Sequence, residues 1–212
     1  MQLRIAVCNH KGGSGKTSTA MLVAANLASP TYKVAVVDLD TQASAQLWSQ
    51  AAEAPMKFPA HVVAATAATL LTVLTSLKDV DAILLDCPPS STAPATLEAL
   101  RVATLVLIPC LPSALDYWAT DAMQLVADRY PAPRLVVVNQ TTNTNLCTEM
   151  IDHIEKSWPT AHARLGARSA YKEAAAQGLG VRQLPGRANH AAIAEMDALS
   201  LEILAAATKA AK

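Results

Sequence analysis

Charge of either sign is scarce in this sequence. Only 16% of the 212 residues are charged, and 17 basic residues balance 17 acidic ones to give a formal net charge of zero. A protein that holds nucleic acid through its overall charge is strongly basic, so that class is excluded. Any binding to nucleic acid must therefore come from a local cluster of cations.

Long apolar runs and paired cysteines are also missing. The hydrophobic stretches are interrupted by Thr, Ser or Pro and stay well below the ~20 residues of a membrane-spanning helix. The four cysteines have no C-x-x-C spacing, so each is expected to be a small buried hydrophobe and not a metal ligand. No signal peptide is visible before the first predicted strand, and we therefore expect a cytoplasmic protein.

What the sequence does have is apolar content. Hydrophobic residues make up 52% of the chain, and its length suits a single domain over residues 1–212. Short runs of Val, Leu and Ile alternate with segments of helical periodicity, which predicts a three-layer α/β fold, a mostly parallel sheet with helices on both faces. The predicted strands cover residues 3–7, 33–38, 61–63, 82–86, 104–109 and 135–139. The predicted helices cover residues 16–28, 42–54, 69–78, 93–101, 115–129, 144–158, 170–177 and 191–211, with a loop over 178–186.

A glycine-rich segment, CNHKGGSGKT at residues 8–17, joins the first predicted strand to the first predicted helix. Glycines let the backbone turn tightly, so that several N–H groups and the positive end of the helix point at one anion. Lys16 can reach the β- and γ-phosphates of a nucleotide, and the Thr17 hydroxyl can hold Mg²⁺. The residues expected to bind phosphate are Gly12, Gly13, Ser14, Gly15, Lys16, Thr17 and Ser18.

Polar side chains follow three other predicted strands, and the carboxyl ends of parallel strands meet at one edge of a sheet. Asp38 and Asp40 could position a water or support a metal, or they could be solvated strand-end aspartates. Asp86 follows four apolar residues, the Walker B arrangement, in which the carboxylate faces Mg²⁺. Thr17, Asp40 and Asp86 are thus the predicted metal-site residues. Asn139 could pair with the edge of a base or simply cap its strand.

The two lysines of the loop, in the order K-G-G-x-G-K-T, resemble the deviant P-loop of the ParA/MinD family of ATPases. The general P-loop pattern would have a glycine where this chain has His10. The segment DLDTQ at 38–42 resembles the family's D-x-D-P-Q, with Thr41 in place of proline, and DCPP at 86–89 resembles its D-x-P-P. Residues 112–117, PSALDY, resemble a segment at the dimer face of small plasmid-partition ATPases. The resemblance covers roughly residues 1–140.

The resemblance implies a P-loop ATPase that uses ATP and Mg²⁺ and turns over slowly until a ParB-like or cargo-adaptor protein stimulates it. Asp40 would orient the attacking water, and Asn139 would contact adenine. Lys11 would reach the phosphates held by the other subunit, so that ATP gives a sandwich homodimer and ADP a monomer. Such proteins segregate or position a cargo, which could be a plasmid, a chromosome region or a protein organelle such as a carboxysome.

A basic stretch in the C-terminal third could bind DNA. Between residues 160 and 190 the sequence has five cations and Glu173 as its one acidic residue. Such a cluster suits non-specific contact with the phosphate backbone, and the alternative is a solvated helix face. By the resemblance, ATP dimers would bind the nucleoid here. The predicted DNA-binding residues are Arg164, Arg168, Lys172 and Arg187.

Three other classes compete with this interpretation. A MinD-like membrane protein would need a strong amphipathic C-terminal helix, and residues 199–212 are mostly alanine after Leu204. An iron–sulfur carrier would need paired cysteines, of which Cys87 and Cys110 are the only plausible pair. A metabolic P-loop ligase would lack Lys11.

Overall fold

The computed structural model describes residues 2–186 and 189–210. Its centre is a sheet of six parallel strands in the order β3-β2-β4-β1-β5-β6. The strands are β1 (Leu3–Val7), β2 (Val34–Asp38), β3 (His61–Ala64), β4 (Ala82–Asp86), β5 (Leu105–Cys110) and β6 (Arg134–Val138). Every residue of β2, β4 and β5 is buried, as expected for strands that are covered on both faces.

Within the described residues, eight α-helices cover the two faces of the sheet. They are α1 (Lys16–Leu27), α2 (Ser44–Gln50), α3 (Leu70–Ser76), α4 (Pro94–Val102), α5 (Ala114–Ala127), α6 (Asn145–Ser157), α7 (Ser169–Ala176) and α8 (His190–Ala210). Apolar side chains of α1, α2, α7 and α8 pack in one core, and those of α3 to α6 pack in the other. The predicted three-layer fold is confirmed.

The ends of several elements differ from the prediction for local reasons. The helix predicted over 42–54 is shorter, because Ala43 adopts a left-handed conformation with φ 53° just before it. The Asp38 carboxylate then accepts hydrogen bonds from the N–H groups of Ala45 and Gln46, which fixes where α2 begins. The predicted loop over 178–186 contains a short 3₁₀ turn, Val181–Gln183. Residue 211 of the last predicted helix lies outside the described residues.

The position of β1 decides where a ligand can bind. It lies between β4 and β5. Strands β2, β3 and β4 lie on one side of it, and β5 and β6 lie on the other. A crevice forms at the carboxyl ends of strands where the order switches in this way. The glycine-rich loop leaves β1 at this point, and residues 8–15 therefore line the crevice.

Candidate nucleotide site

Two positions of the glycine-rich loop have a backbone conformation that glycine adopts much more readily than other residues. Gly13 and Gly15 have φ values of 77° and 91°, in the left-handed region. A Cβ atom on Gly15 would also come within 2.6 Å of the Asn139 amide nitrogen. The loop therefore turns tightly into the start of α1, and the N–H groups of residues 12–15 donate to no described residue, which suits an anion.

Lys16 lies under this loop and is 7% exposed. Its Nζ donates a 2.9 Å hydrogen bond to the carbonyl oxygen of Lys11. Burial lowers the pKa of Lys16, while the negative charge of Asp86 acts in the opposite direction. The ammonium group thus has a backbone carbonyl as its hydrogen-bond partner, and a phosphate would be a stronger one.

Asp38 and Asp40 end up in different environments. The Asp38 carboxylate accepts hydrogen bonds from the N–H groups of Asp40, Ala45 and Gln46 at 3.0 to 3.1 Å, so it holds the turn into α2. Asp40 is half-buried, and one of its oxygens accepts from Gln42 N at 3.0 Å. Its second oxygen is available to a water or ligand in the cavity that lies over the glycine-rich loop, which Asp40 lines.

Asp86 is fully buried, and neither of its carboxylate oxygens has a hydrogen-bond partner. Burial raises the pKa of Asp86 to about 7, against the opposing effects of the nearby Thr17 hydroxyl and Lys16 ammonium. Two orphaned oxygens beside Thr17 fit a hard cation such as Mg²⁺, which takes few protein ligands and completes its shell with water and phosphate. No group of three or more His, Cys, Asp or Glu side chains that could hold a metal occurs in residues 2–186 and 189–210.

Lys11, the second lysine of the loop, is bound by its own subunit. Its Nζ lies 2.8 Å from Oδ2 of Asp116 at the start of α5, and Asp116 is 2% exposed. The Ser113 hydroxyl donates to the same oxygen at 2.6 Å. The Lys11 N–H donates at 3.3 Å to Asn9, whose amide in turn donates to Pro109 O of β5. The N-terminal turn of α5 therefore fixes the first half of the loop.

Two cavities meet at the start of α1. A cavity of about 320 Å³ lies over the loop, next to Asp40 and Pro89. A second cavity of about 340 Å³ lies on the other side, between α1, β6 and α7. Gly15, Ser18 and Gln140 line both cavities. The second is mostly apolar, with Leu22, Leu165 and Ala175 in its walls.

Asn139 lines the second cavity and braces the loop. Its amide nitrogen donates to Ser14 O and to Thr19 Oγ1, both at 3.2 Å. Its buried Oδ1 has no partner, so one acceptor remains for a ligand. Sequence reasoning placed Asn139 at the site but did not foresee this bracing contact, which depends on how β6 and α1 lie in space.

The basic stretch differs from the prediction. The sequence count gave these cations Glu173 alone as an acidic neighbour, which is wrong in three dimensions. Arg164 pairs with Glu155 at 2.6 Å, Arg168 pairs with Glu195 at 2.5 Å, and Arg182 pairs with Asp197. Arg168 and Lys172 line the second cavity. Arg187, the fourth predicted DNA-binding residue, lies outside the described residues.

Several residues of the site were missed from sequence. Asp116 had a signal, since it lies in the segment that resembles the dimer face of partition ATPases, but nothing linked it to Lys11. The segment 165–169 had no sequence signal that linked it to the site, because it lies in a connection far along the chain from the glycine-rich loop. Gln140, with φ 53°, follows β6 and turns the chain between the cavities.

Comparison with known proteins agrees with this geometry. Residues 5–181 match the model of the CobQ/CobB/MinD/ParA nucleotide binding domain, and the chain belongs to this family. The predicted ParA/MinD resemblance is therefore confirmed. In that family, ParA and MinD proteins are P-loop ATPases.

Curated sequence relatives match most of the chain. The maintenance of carboxysome distribution protein A of Halothiobacillus neapolitanus is 31% identical over 201 residues, which are 89% of this chain and 90% of the relative. Two solved structures share the fold. The septum site-determining protein MinD of Pyrococcus horikoshii, complexed with Mg-ADP, aligns with a TM-score of 0.74 at 18% identity over 97% of this chain and 98% of MinD. An Asp-to-Ala variant of Cyanothece McdA in complex with ATP gives 0.70 at 15% identity over 93% and 96%.

Proposed function

We propose that this chain is an ATP hydrolase that uses an ATP-dependent dimer to position a cargo in the cell. The observation that carries the proposal is the buried, unpartnered carboxylate of Asp86 beside Lys16 and Thr17 under the glycine-rich loop. A buried carboxylate without a partner costs free energy, and a magnesium–phosphate group removes that cost. The Mg-ADP complex of MinD and the ATP complex of McdA support the same ligand here.

The residues of the loop bind and orient the phosphates. Lys16 exchanges its contact with Lys11 O for the β- and γ-phosphates, and the N–H groups at the start of α1 bind the same oxygens. Thr17 and Asp86 hold Mg²⁺, which when bound neutralises the charge that grows on the phosphates during transfer. Asp40 accepts a hydrogen bond from the attacking water through its available oxygen and so orients it.

The base of ATP belongs in the second cavity. Because Gly15 and Ser18 line both cavities, one nucleotide can place its phosphates in the first and its base in the second. The apolar walls cover the faces of a base, and Asn139 Oδ1 accepts a hydrogen bond from an amino group such as that of adenine. A cavity of about 340 Å³ is large enough for a base and its ribose.

Dimerisation requires Lys11 to leave Asp116. In the present arrangement the lysine is bound within its own subunit at 2.8 Å, and its side chain is 39% exposed. The γ-phosphate of an ATP bound to a second copy of the chain would compete with Asp116 for this ammonium. ADP lacks that phosphate and so attracts the lysine less strongly. We therefore propose an ATP-bound dimer and an ADP-bound monomer.

The cargo proposal rests on the carboxysome distribution relative, and DNA is the proposed surface on which positioning takes place. The ion pairs of Arg164 and Arg168 reduce the positive charge predicted there. Lys172, which is exposed, is therefore the better described position for testing DNA contact, and Arg187 stays a predicted contact outside the described residues. A ParB-like or cargo-adaptor protein is the proposed stimulator of hydrolysis.

Co-sedimentation with DNA and with liposomes, each in ATP and in ADP, tests the output. We expect sedimentation with DNA in ATP alone. No described helix is long and apolar enough to span a membrane, and liposomes cover the remaining case of surface binding. Sedimentation with liposomes would replace the DNA proposal by a MinD-like one. Binding to neither, with ATP turnover intact, would favour a metabolic enzyme.

Two variants sharpen this assay. Lys172→Glu combined with Arg187→Glu should remove DNA binding. Because Lys172 also lines the second cavity, DNA binding is compared at saturating ATP, and ATP turnover of the variant is measured alongside. Asp40→Ala should trap a long-lived ATP dimer on DNA, because the attacking water loses its orienting group. Normal turnover in Asp40→Ala would contradict the proposed role of that carboxylate.

A further inference from the structure

The wall of the second cavity is built by a connection that has no regular secondary structure. Residues 160–168 run along the outer edge of β6, and N–H groups of Ala161 and Leu165 donate to Val136 O and Val138 O at 2.9 and 3.0 Å. Short parallel bridges join Val136 to Thr160 and Thr141 to Gly166. The connection therefore continues the sheet by an irregular edge, and Leu165 to Arg168 line the cavity.

The outward-facing N–H groups of this connection donate to two glutamates of α8. Glu202 accepts from the N–H groups of His162 and Ala163, both at 2.7 Å. Glu195 accepts from the Gly166 N–H at 3.0 Å. The two glutamates are seven residues apart, two turns of one helix, so they lie on the same side of α8. Together they take the place of a neighbouring strand along this edge.

Glu195 also holds the side chains that complete the wall. It accepts from Arg168 Nε at 2.8 Å, from Arg168 Nη2 at 2.5 Å and from the Tyr171 hydroxyl at 2.6 Å. Burial and then the bond to Glu195 raise the pKa of Tyr171. Burial opposes ionisation of Glu195, yet the bonds from Arg168 and Tyr171 hold its pKa below the ordinary value.

Gly166 shows how closely this carboxylate fits. A Cβ atom at Gly166 would lie 3.3 Å from both Glu195 Oε1 and Arg168 Nε. The main chain of the connection and the carboxylate are therefore in direct contact, and a methyl group would push them apart by a few tenths of an ångström.

We propose that Glu195 and Glu202 are positioning residues for the base of the nucleotide, and that they make base affinity depend on α8 independently of the phosphates. The inference rests on the proposed function, in which the second cavity receives the base. Neither glutamate lines the cavity. Both act through the connection 160–168, and Glu195 acts also through Arg168 and Tyr171.

The test compares ATP with inorganic tripolyphosphate, which has the phosphates without the nucleoside. Dissociation constants of both are measured with Mg²⁺ by isothermal titration calorimetry. Glu195→Gln should weaken ATP binding about tenfold. The amide nitrogen of glutamine would face N–H or O–H groups that now donate hydrogen bonds to the carboxylate. The same variant should leave tripolyphosphate affinity within about twofold, because the phosphate loop is untouched.

Two further variants and a control complete the experiment. Glu202→Gln should weaken ATP binding about threefold, because it holds only the start of the connection. Gly166→Ala should reproduce the Glu195→Gln pattern with the carboxylate still present. Glu173→Gln makes the same chemical change at an exposed site on α7 and should alter neither affinity. Thermal unfolding of each variant by circular dichroism confirms that it is folded.

Four outcomes bear on the inference. Selective loss of ATP affinity in Glu195→Gln and in Gly166→Ala supports it. Equal weakening of ATP and tripolyphosphate overturns it, because α8 then acts on the fold as a whole. Equal affinity of the wild-type chain for both ligands also overturns it, but leaves the proposed phosphate site standing. A wild-type chain that binds neither ligand overturns the proposed function itself.

Discussion

The two sides of the crevice differ in whether their charged side chains have partners. One side is the glycine-rich loop with Lys16 and Asp86, the proposed phosphate side, and the other is the C-terminal side, residues 160–186. Under the glycine-rich loop, Asp86 has no hydrogen-bond partner and Lys16 has a single backbone carbonyl. In the described residues from 160 to 186, each arginine is paired with a carboxylate of α6 or α8. The first region is buried and unsatisfied, whereas the second is half-exposed and satisfied.

This difference distinguishes buried charges that lack a partner from surface charges that hold segments together. An orphaned buried carboxylate is costly, and a ligand that binds it removes that cost. Partnered arginines at the surface hold segments together, and nearby carboxylates offset part of their positive charge. A cluster of cations in a sequence therefore says less than their partners in space.

The contrast between the two sides fails most clearly if ATP binding does not need the charged residues under the glycine-rich loop. Lys16→Ala should weaken ATP binding by more than about 100-fold, since it removes a desolvated cation aimed at the phosphates. Titration calorimetry with ATP measures this. Lys33→Ala, at an exposed position just before β2, is the control and should change nothing. Retained binding in Lys16→Ala would move the phosphate site elsewhere.

Two strand-end aspartates provide a matched pair for the next effect. Asp38 and Asp86 are register partners on β2 and β4, yet one carboxylate accepts three N–H groups and the other none. Asp86→Asn should cut ATP turnover about 100-fold and raise the unfolding free energy of the nucleotide-free protein by about 1 kcal/mol. Asp38→Asn should lower that unfolding free energy by about 1–3 kcal/mol.

Urea unfolding at pH 8 without nucleotide measures both stabilities, since Asp86 is then mostly ionised. A phosphate-release assay measures turnover. If both variants lose the same stability, the distinction between satisfied and orphaned carboxylates fails.

Lys11 belongs to neither region fully, because it is paired and yet is proposed to leave its partner. Lys11→Ala should bind ATP within about threefold of wild type but weaken the ATP dimer at least tenfold, as a charged contact across the interface is lost. Asp116→Asn should have the opposite effect and lower the ATP concentration that gives half-maximal dimer. Light scattering after size-exclusion chromatography measures both, with Lys57→Ala as the control. An undiminished ATP dimer in Lys11→Ala would contradict the trans contact.

The residues that the sequence placed at the glycine-rich loop do lie close together in the structure, whereas the ion pairs of the C-terminal side were not foreseen. Lys11, Lys16 and Asp86 lie in short motifs at strand ends, and parallel strands bring such ends together whatever the details of packing. The fully buried strands were equally predictable, because each is a short continuous run of apolar residues. Element ends such as that of α2 depended on a single left-handed residue, Ala43, that no periodicity reveals.

The pairing of the arginines could not be predicted for a different reason. Glu195 is 27 residues from Arg168, and Asp197 is 15 from Arg182. These partners meet because α8 folds back along α7 and α1, which is a result of tertiary packing. A count of charges within one window of sequence cannot include them, and it therefore overstated the basic patch.

The smallest effect concerns an ion pair that lies away from the second cavity. Arg164 and Glu155 are 2.6 Å apart, but their side chains are 40% and 33% exposed, and neither lines the second cavity. A double-mutant cycle with Arg164→Ala and Glu155→Ala should therefore give a coupling below about 1 kcal/mol, and less in high salt, because water and ions screen the pair. The corresponding cycle for Arg168 and Glu195 should give a larger coupling, since that carboxylate also holds Gly166 and Tyr171. Equal couplings by urea unfolding would mean that Glu195 is only another surface partner.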